Sequence, residues 1–173
     1  MIQTERLILR RFEGRDRAPL HAMWADPRVM GDLGALKSAE DSDAALARHA
    51  SYHPLGFFVV EQRDSGATIG FCGLKPGAPD TPIAGMLEVG WTLAAPFWGS
   101  GYAREAAAAS IAWGWTNGDA DAIVAITARR NARSRKLMER LGMSHLPAMD
   151  FMHPLFAADD PLRDTVTYRI ERP

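Results

Sequence analysis

The chain has 173 residues, of which 47% are hydrophobic and 24% charged, and its formal net charge is −1. These values predict one globular domain spanning residues 1–173. The near-neutral charge argues against nucleic acid or an anionic membrane as a partner, and the single cysteine, Cys72, excludes an internal disulfide. We see no signal peptide and no apolar stretch of the roughly 18 residues that a membrane helix needs. We therefore expect a cytoplasmic protein.

Hydrophobic periodicity and turn residues predict strands and helices that follow one another along the chain. Strands are predicted at 6–12, 55–62, 68–74, 86–93 and 122–127. Helices are predicted at 15–26, 38–53, 102–117 and 131–143. The tail from His145 is expected to add two strands, one of them ending in residues 165–170.

The helix at 102–117 lies between two predicted strands, and this order predicts a βαβ unit with parallel strands. The earlier strands are joined by short turns and should be antiparallel. The fold class is therefore mixed α/β (α+β), with a mostly antiparallel twisted sheet and one central parallel switch. Ligands of such sheets bind near the carboxyl ends of strands at the switch.

Two glycines, Gly99 and Gly101, lie between the strand at 86–93 and the helix at 102–117. Glycine permits positive φ and close approach of a ligand, and the free amides of a helix N-terminus favour anions such as phosphate. The segment lacks the Lys-Ser or Lys-Thr of a P-loop and the third glycine of a Rossmann fingerprint. The alternative is a tight strand-to-helix turn without a ligand.

The segment "FWGSGYAREA" after "EVGWTL" resembles the acyl-CoA signature Q/R-x-x-G-x-G/A of the GNAT N-acetyltransferases. The resemblance is strongest to the RimJ/RimL-like branch, which acetylates the N-termini of ribosomal proteins and often has Trp at the first position, as Trp98 here. "TERLILRRF" with "WADPRVM", "NARSRKLMERLGM" and "PLRDTVTYRI" resemble further elements of that branch, with Met143 in place of the usual aromatic residue. The resemblance covers nearly the whole chain.

The resemblance implies a GNAT fold with helices on both faces of the sheet, in which the strands at 86–93 and 122–127 splay apart. Acetyl-CoA would be the co-substrate, without a metal. Pantetheine would pair with main chain in the splayed strand, and the amides of residues 99–104 would hold the pyrophosphate. The implied cofactor-binding residues are Trp91, Thr92, Leu93, Trp98, Gly99, Ser100, Gly101, Tyr102, Ala103, Arg104, Asn131 and Ser134.

Acetyl transfer from a thioester to an amine needs a neutral amine, a polarised carbonyl and a proton for the thiolate. Ser134 is the predicted acid, because it shares the apolar stripe of its helix with Leu137, Met138 and Leu141. In the family, this serine and Asn131 lie beside the sulfur. The alternative is that Asn131 only caps the helix and Ser134 only fills its first turn.

The general base is not determined by the sequence. Glu88 is one candidate, because some GNAT enzymes use a glutamate in this strand through a water molecule. The alternative is an exposed ion-pair partner of a lysine or arginine. Asp150 and His153 are rivals, because this branch can place its base in the strand after the last helix.

His49 and His53 are predicted on one stripe of the second helix with Leu46 and Ala50. A histidine pair at i and i+4 can bind zinc, but no third ligand is evident. We expect these histidines to line the acceptor cleft or to be ordinary surface or half-buried residues.

Three aromatic residues, Trp24, Trp91 and Phe58, are expected either to form walls of the cleft or to pack in the core. Cys72 is expected in the core. The basic segment 128–136 either complements the phosphates of CoA or is a solvated start of a helix.

We therefore predict an acetyl-CoA-dependent N-acetyltransferase of EC 2.3.1 type, whose acceptor is a small-molecule amine or a protein N-terminus. The chain would be a monomer or a homodimer. A non-catalytic acyl-CoA-binding or regulatory domain is the second class. A nucleotide-dependent oxidoreductase or kinase is the third.

Overall fold

The computed structural model describes residues 1–173 as nine strands and five helices. The strands are β1 (Ile2–Gln3), β2 (Leu7–Arg10), β3 (Gly56–Gln62), β4 (Thr68–Pro76), β5 (Leu87–Leu93), β6 (Ala122–Ala128), β7 (Ser144–His145), β8 (Phe151–Met152) and β9 (Asp164–Glu171). The helices are α1 (Arg17–Trp24), α2 (Pro27–Met30), α3 (Ala39–Ser51), α4 (Tyr102–Asn117) and α5 (Ala132–Arg140). None of the helices has the length and apolar character that crossing a membrane requires.

All strands join one sheet in the order β1-β2-β3-β4-β5-β6-β9-β7, and β8 also pairs with β9. Every pair is antiparallel except β5 with β6, which confirms the predicted parallel switch. The parallel ladder is short, since only Leu87 with Ile123 and Glu88 with Val124 are paired. Past Glu88 the two strands separate, while β5 stays paired with β4 as far as Leu93. A gap therefore opens in the middle of the sheet.

Helices cover both faces of the sheet, as the resemblance implied. Neighbouring β4 residues Phe71 and Cys72 belong to two different core clusters, because successive side chains of a strand point to opposite faces. The Cys72 face packs against α4, whose Ala106 and Ala107 are buried and allow a close approach. The Phe71 face packs against α1 and α3, and Trp24 contacts Phe71 edge to face with 5.5 Å between ring centroids.

The observed boundaries correct several predicted ones. The predicted helix at 15–26 begins as a 3-10 turn, and its α-helical part ends at Trp24. Asp26 then caps a separate short helix, α2, that the sequence analysis missed. Helix α3 ends at Ser51, so His53 lies outside it. The tail holds three strands instead of two, and β1 was not predicted.

Charged side chains form a buried network where β2, β3 and β4 meet. Arg10 is 9% exposed and donates two hydrogen bonds to Asp16, at 2.7 and 2.8 Å, and two to Glu61, at 2.8 and 2.6 Å. Asp16 is fully buried and also accepts from the hydroxyl of Thr68 and the main-chain N–H of Glu13. Burial opposes ionisation of Asp16, but these hydrogen bonds outweigh it and lower its pKa.

Candidate active site

The gap between β5 and β6 exposes main-chain groups of β5. Ala94 donates its N–H to the Ile69 carbonyl of β4 at 2.9 Å. Because the main-chain groups of successive residues point to alternate neighbours, Thr92 also faces β4, whereas Trp91 and Leu93 face the gap. No β6 residue pairs with Trp91 or Leu93, so an extended ligand can add to this edge. Of the three residues implied to pair with pantetheine, the register thus leaves Trp91 and Leu93 on the gap edge, where the Leu93 N–H is free and the Leu93 carbonyl already accepts from the Trp98 indole.

The glycine loop ends at the N-terminus of α4. Gly99 and Gly101 have φ of 80° and 83°, so both adopt the left-handed conformation that glycine favours. Gly101 is the N-cap residue and has no side chain with which to cap the helix. Glu105 donates its N–H to the Gly101 carbonyl at 3.1 Å. The amides before Glu105 have no helical acceptor, and they point out of the helix end toward any anion bound there.

Two long-range hydrogen bonds hold the glycine loop in place. The indole of Trp98 donates to the Leu93 carbonyl at 2.8 Å and ties the loop to the end of β5. Arg6 donates to the Ser100 carbonyl at 2.9 Å and forms an ion pair with Glu105 in the first turn of α4. The loop is therefore held from the end of β5 and from the segment just before β2.

A cavity of about 410 Å³, called the larger cavity below, lies between the glycine loop, the gap edge of β5 and α5. All predicted cofactor-binding residues except Ser100 line it. Further lining residues lie outside the set of predicted cofactor-binding residues: Val29 in α2, Asp32 and Leu33 after α2, Phe97 before the glycine loop, and Arg133, Lys136, Leu137 and Arg140 in α5.

Positive charge surrounds this larger cavity. Arg104, Arg133, Lys136 and Arg140 all line it. Arg133 also lies over the Trp98 ring, with its guanidinium carbon 4.0 Å from the centroid, which places a cation beside the glycine loop. This agrees with the prediction that the basic segment 128–136 serves an anion.

Helix α5 brings Asn131 and Ser134 to the wall of the larger cavity. Asn131 is 5% exposed, and its side-chain oxygen accepts from the Ser134 N–H at 3.1 Å, so it caps the helix. Ser134 is half-buried, and its hydroxyl makes no hydrogen bond within the chain. The cap thus aims a free hydroxyl at the cavity, so Asn131 can have a capping role and a site role together.

Glu88 lies at the point where β5 and β6 part, since its pair with Val124 is the last of the parallel ladder. It is only 6% exposed and forms an ion pair with Lys75, its partner residue on β4. The alternative of an exposed ion pair is therefore wrong on one point: Glu88 has the ion pair, but it is buried. Burial raises the pKa of Glu88, although the charge and hydrogen bond of Lys75 oppose this.

A second cavity, of about 220 Å³, adjoins the larger one and shares Asp32 and Leu33 with it. It is lined by the carboxyl end of β6 and by the segment from His153 to Thr165. His153 contributes its ring to this lining, and burial together with the charge of Lys75 lowers its pKa. Its Nδ1 accepts a hydrogen bond of 3.3 Å from the Leu155 N–H.

Known acetyltransferases are similar to this chain in sequence and in fold. The family model described as "Acetyltransferase (GNAT) domain" matches residues 6–144. This chain belongs to the GNAT acetyltransferase family. Two sequence relatives are the uncharacterized protein YkkB of Bacillus subtilis, 28% identical over 82% of this chain and 84% of the relative, and the uncharacterized N-acetyltransferase p20 of Bacillus licheniformis, 29% identical over 81% and 80%.

Solved structures of other GNAT proteins have the same fold. A GNAT-family acetyltransferase from Bacillus anthracis superposes with a TM-score of 0.81 at 24% identity, covering 98% of this chain and 97% of the other. An acetyltransferase from Agrobacterium tumefaciens gives 0.79 at 25% identity, covering 99% and 94%. RimL, a ribosomal L7/L12 α-N-protein acetyltransferase in complex with coenzyme A, gives 0.77 at 15% identity, covering 97% and 95%. The predicted GNAT fold is confirmed.

Neither Asp150 nor Glu88 lines either of the two cavities. The carboxylate of Asp150 accepts from the Thr167 N–H, Arg129 and His145, each at 3.0 Å. Burial opposes ionisation, but these three hydrogen bonds outweigh it and lower the pKa of Asp150. A carboxylate so fully engaged is a weak proton acceptor, and its contacts favour a role in joining β9 to the loop before β8.

The two histidines that were considered for a metal or the acceptor cleft do not act together. His49 is 6% exposed, stacks on Phe57 and accepts the Phe57 N–H at its Nδ1, while His53 is exposed beyond the end of α3. Burial lowers the pKa of His49 to about 3, so it is neutral. The prediction of a shared helical stripe is wrong, and neither histidine lines a cavity described above.

The remaining aromatic residues divide between core and site. Trp24 and Phe58 are 5% exposed and pack in the core clusters, whereas Trp91 lines the larger cavity. Cys72 is fully buried, as predicted, and burial raises the pKa of its thiol to about 12.

Proposed function

We propose that this GNAT protein transfers the acetyl group of acetyl-CoA to a primary amine. The observation that carries the proposal is the gap in the sheet, where the unpaired edge of Trp91 and Leu93 leads directly to the glycine loop. Pantetheine is an extended chain with amide groups, and it can pair with such an edge as an added strand would. The resemblance to the RimJ/RimL-like branch supports this assignment.

The phosphates of CoA fit the other end of the larger cavity. A Cβ at Gly99 would point into open space, so the main chain there is accessible to a ligand. The free amides of residues 102–104 offer donors for pyrophosphate oxygens. Arg104, Arg133 and Lys136 supply positive charge for the remaining phosphate groups.

In the proposed reaction, the neutral amine attacks the thioester carbonyl carbon and forms a C–N bond. The C–S bond then breaks, the thiolate takes a proton, and the amine nitrogen loses one. Ser134 is the proposed donor toward the sulfur, because its hydroxyl lines the larger cavity and is free of internal hydrogen bonds. A hydroxyl is a weak acid, so its contribution is a hydrogen bond to the leaving thiolate.

Glu88 is the proposed proton acceptor, acting through a water molecule. It lies at the apex of the gap, and its raised pKa makes it a better base than an ordinary carboxylate at neutral pH. Asp150, whose pKa is lowered, is a poorer choice. His153 is also a poorer choice. Its Nδ1 accepts a hydrogen bond from the Leu155 N–H, so in the neutral ring the proton is on Nε2. In this orientation, neither ring nitrogen has a free lone pair for the proton of the amine.

The first experiment is calorimetric titration with acetyl-CoA, with NADPH and ATP as controls, followed by a screen of amines for release of free thiol. Binding of acetyl-CoA with thiol release supports the proposal. Binding without thiol release for any amine would favour the non-catalytic acyl-CoA-binding class. Binding of NADPH or ATP alone would favour the nucleotide-dependent class.

The Gly101→Val variant tests the glycine loop directly. A β-branched side chain at a φ of 83° strains the main chain and fills the approach to the α4 amides. We expect affinity for acetyl-CoA to fall at least about tenfold, which corresponds to about 1.4 kcal/mol. Gly66→Val is the matched control, because Gly66 also has a positive φ, 67°, but lies in the β3–β4 turn outside both cavities. Equal affinity in the two variants would contradict the phosphate role.

A further inference from the structure

The position of the second cavity indicates how an acceptor reaches the thioester, if the proposed function is correct. The cavity starts at the β6 residues Ile126–Ala128, which face the gap from the side opposite β5. It meets the larger cavity at Asp32 and Leu33, which line both. Because its β6 wall continues from Val124, where β5 and β6 part, an amine in the second cavity would approach a ligand that adds to the gap edge of β5.

The second cavity offers no free carboxylate for an additional ammonium group. Asp32 is the only carboxylate that lines it, and its oxygens are 3.1 Å from Arg130 and 3.9 Å from Arg133. Glu88, the carboxylate at the apex of the gap, is already paired with Lys75. A second positive charge on the acceptor would thus lose its hydration without gaining a partner, and it would meet cations already in place.

The walls of the second cavity are mainly apolar, and some of them are exposed. Ile126, Phe156 and Leu162 form part of the lining. Leu155, which is 83% exposed, and Leu33, which is 37% exposed, lie at its border. An acceptor with an apolar body would cover this surface, and the burial of apolar surface is favourable.

From this charge distribution and these walls, we infer that the acceptor is a small primary amine that carries a single positive charge on an apolar body, such as an alkyl or arylalkyl amine. Polyamines and other multiply charged amines fit the second cavity poorly. This inference depends on the proposed acetyl transfer and narrows its substrate class.

A matched pair of amines tests the inference. Hexylamine and 1,6-diaminohexane have the same length and differ by one terminal amino group, and 2-phenylethylamine adds an aromatic body. We expect kcat/KM, measured by thiol release, to be at least about tenfold higher for hexylamine and 2-phenylethylamine than for the diamine. Equal or better turnover of 1,6-diaminohexane or spermidine would overturn the inference while leaving acetyl transfer intact. No thiol release with any of these amines would count against both.

A pair of variants tests the location. Leu155→Glu places an unpaired carboxylate at the border of the second cavity, whereas Leu36→Glu places one at a leucine that is 53% exposed but lines neither cavity. We expect Leu155→Glu to shift the preference toward the diamine about fivefold, the effect of one charge at close range in water. Leu36→Glu should shift it less than about twofold. The same shift in both variants, or none in Leu155→Glu, would contradict the assignment of this cavity.

Discussion

Two buried carboxylates, Asp16 in the turn after β2 and Glu88 in β5, differ in how many hydrogen-bond donors they have. Asp16 receives hydrogen bonds from Arg10, Thr68 and a main-chain amide, and its pKa is lowered. Glu88 has the single partner Lys75, and its pKa is raised. The first arrangement keeps a carboxylate ionised and holds strands together. The second leaves a carboxylate whose pKa is higher than that of an ordinary glutamate.

The largest effect is expected from removing Arg10, the cation that pairs with Asp16. Arg10→Met would leave Asp16 and Glu61 buried without their main partner, and should lower the free energy of unfolding by about 3–5 kcal/mol. Urea denaturation measures this value. Arg11→Met is the control, because Arg11 donates only to main-chain carbonyls at a partly exposed position. If Arg10→Met and Arg11→Met lower the free energy of unfolding equally, the buried network stabilises the fold no more than the contacts of one partly exposed arginine do.

The same network predicts a pH dependence. Because the pKa of Asp16 is lowered in the folded state, its contribution to stability is fully present above the ordinary value of 3.8 and is lost as the pH falls below it. In Asp16→Asn this part of the acid sensitivity should disappear. Urea denaturation at pH 7 and at lower pH values measures the difference, and an unchanged slope would contradict the assignment.

Removing the carboxylate of the less satisfied group should affect turnover more than stability. Glu88→Gln is expected to lower kcat/KM about a hundredfold, within the range for loss of a general base. In this variant Lys75, which is partly exposed, can turn to solvent, so the free energy of unfolding should change little. If Asp150→Asn or His153→Phe abolishes the acidic limb of the pH profile and Glu88→Gln does not, the base has been assigned to the wrong residue.

A smaller effect is expected from Lys75→Met. Loss of the cation removes the interaction that opposes the raised pKa of Glu88, so that pKa should rise further. The acidic limb of kcat/KM against pH should then move to higher pH by about one unit or more. Lys75→Arg should leave the acidic limb at its wild-type pH. If the acidic limb does not move in Lys75→Met, the titration of Glu88 does not determine the pH profile.

The smallest effect is expected from Ser134→Ala. The hydroxyl contributes one hydrogen bond to a developing thiolate, so kcat should fall about tenfold or less while the Kd for acetyl-CoA stays within about twofold. Asn131→Ala would instead weaken the α5 cap and lower the free energy of unfolding by about 1 kcal/mol. If kcat is unchanged in Ser134→Ala, Ser134 has no role in the reaction and is only part of helix α5.

Much of the fold and of the cofactor side of the site could be predicted from local patterns. The parallel switch follows from the order of elements around 102–117, and the positive φ of Gly99 and Gly101 follows from their place before a helix. Ser100 is the exception among the predicted lining residues, because its carbonyl is engaged by Arg6 from the distant N-terminal segment. No local pattern reports such a contact.

The contacts around Glu88 and the second cavity could not be predicted from the sequence, because they join residues that are far apart in the chain. Lys75 and Glu88 meet only because the β4–β5 register places them opposite each other, and that register arises from packing over both strands. Asp32 and Leu33 come from an irregular segment after α2, yet they border both cavities.

The sequence by itself therefore determined the longer helices and strands, the place of the parallel crossover and the glycine turn before α4. These properties follow from periodicity, glycine conformation and helix ends, which act over a few residues. Only the tertiary structure decided that Glu88 is buried beside a single cation, that Asp150 is fully hydrogen-bonded and that His49 and His53 lie apart. Burial and charge pairing are set by segments far apart in the chain, and those interactions determine the pKa values on which the chemistry depends.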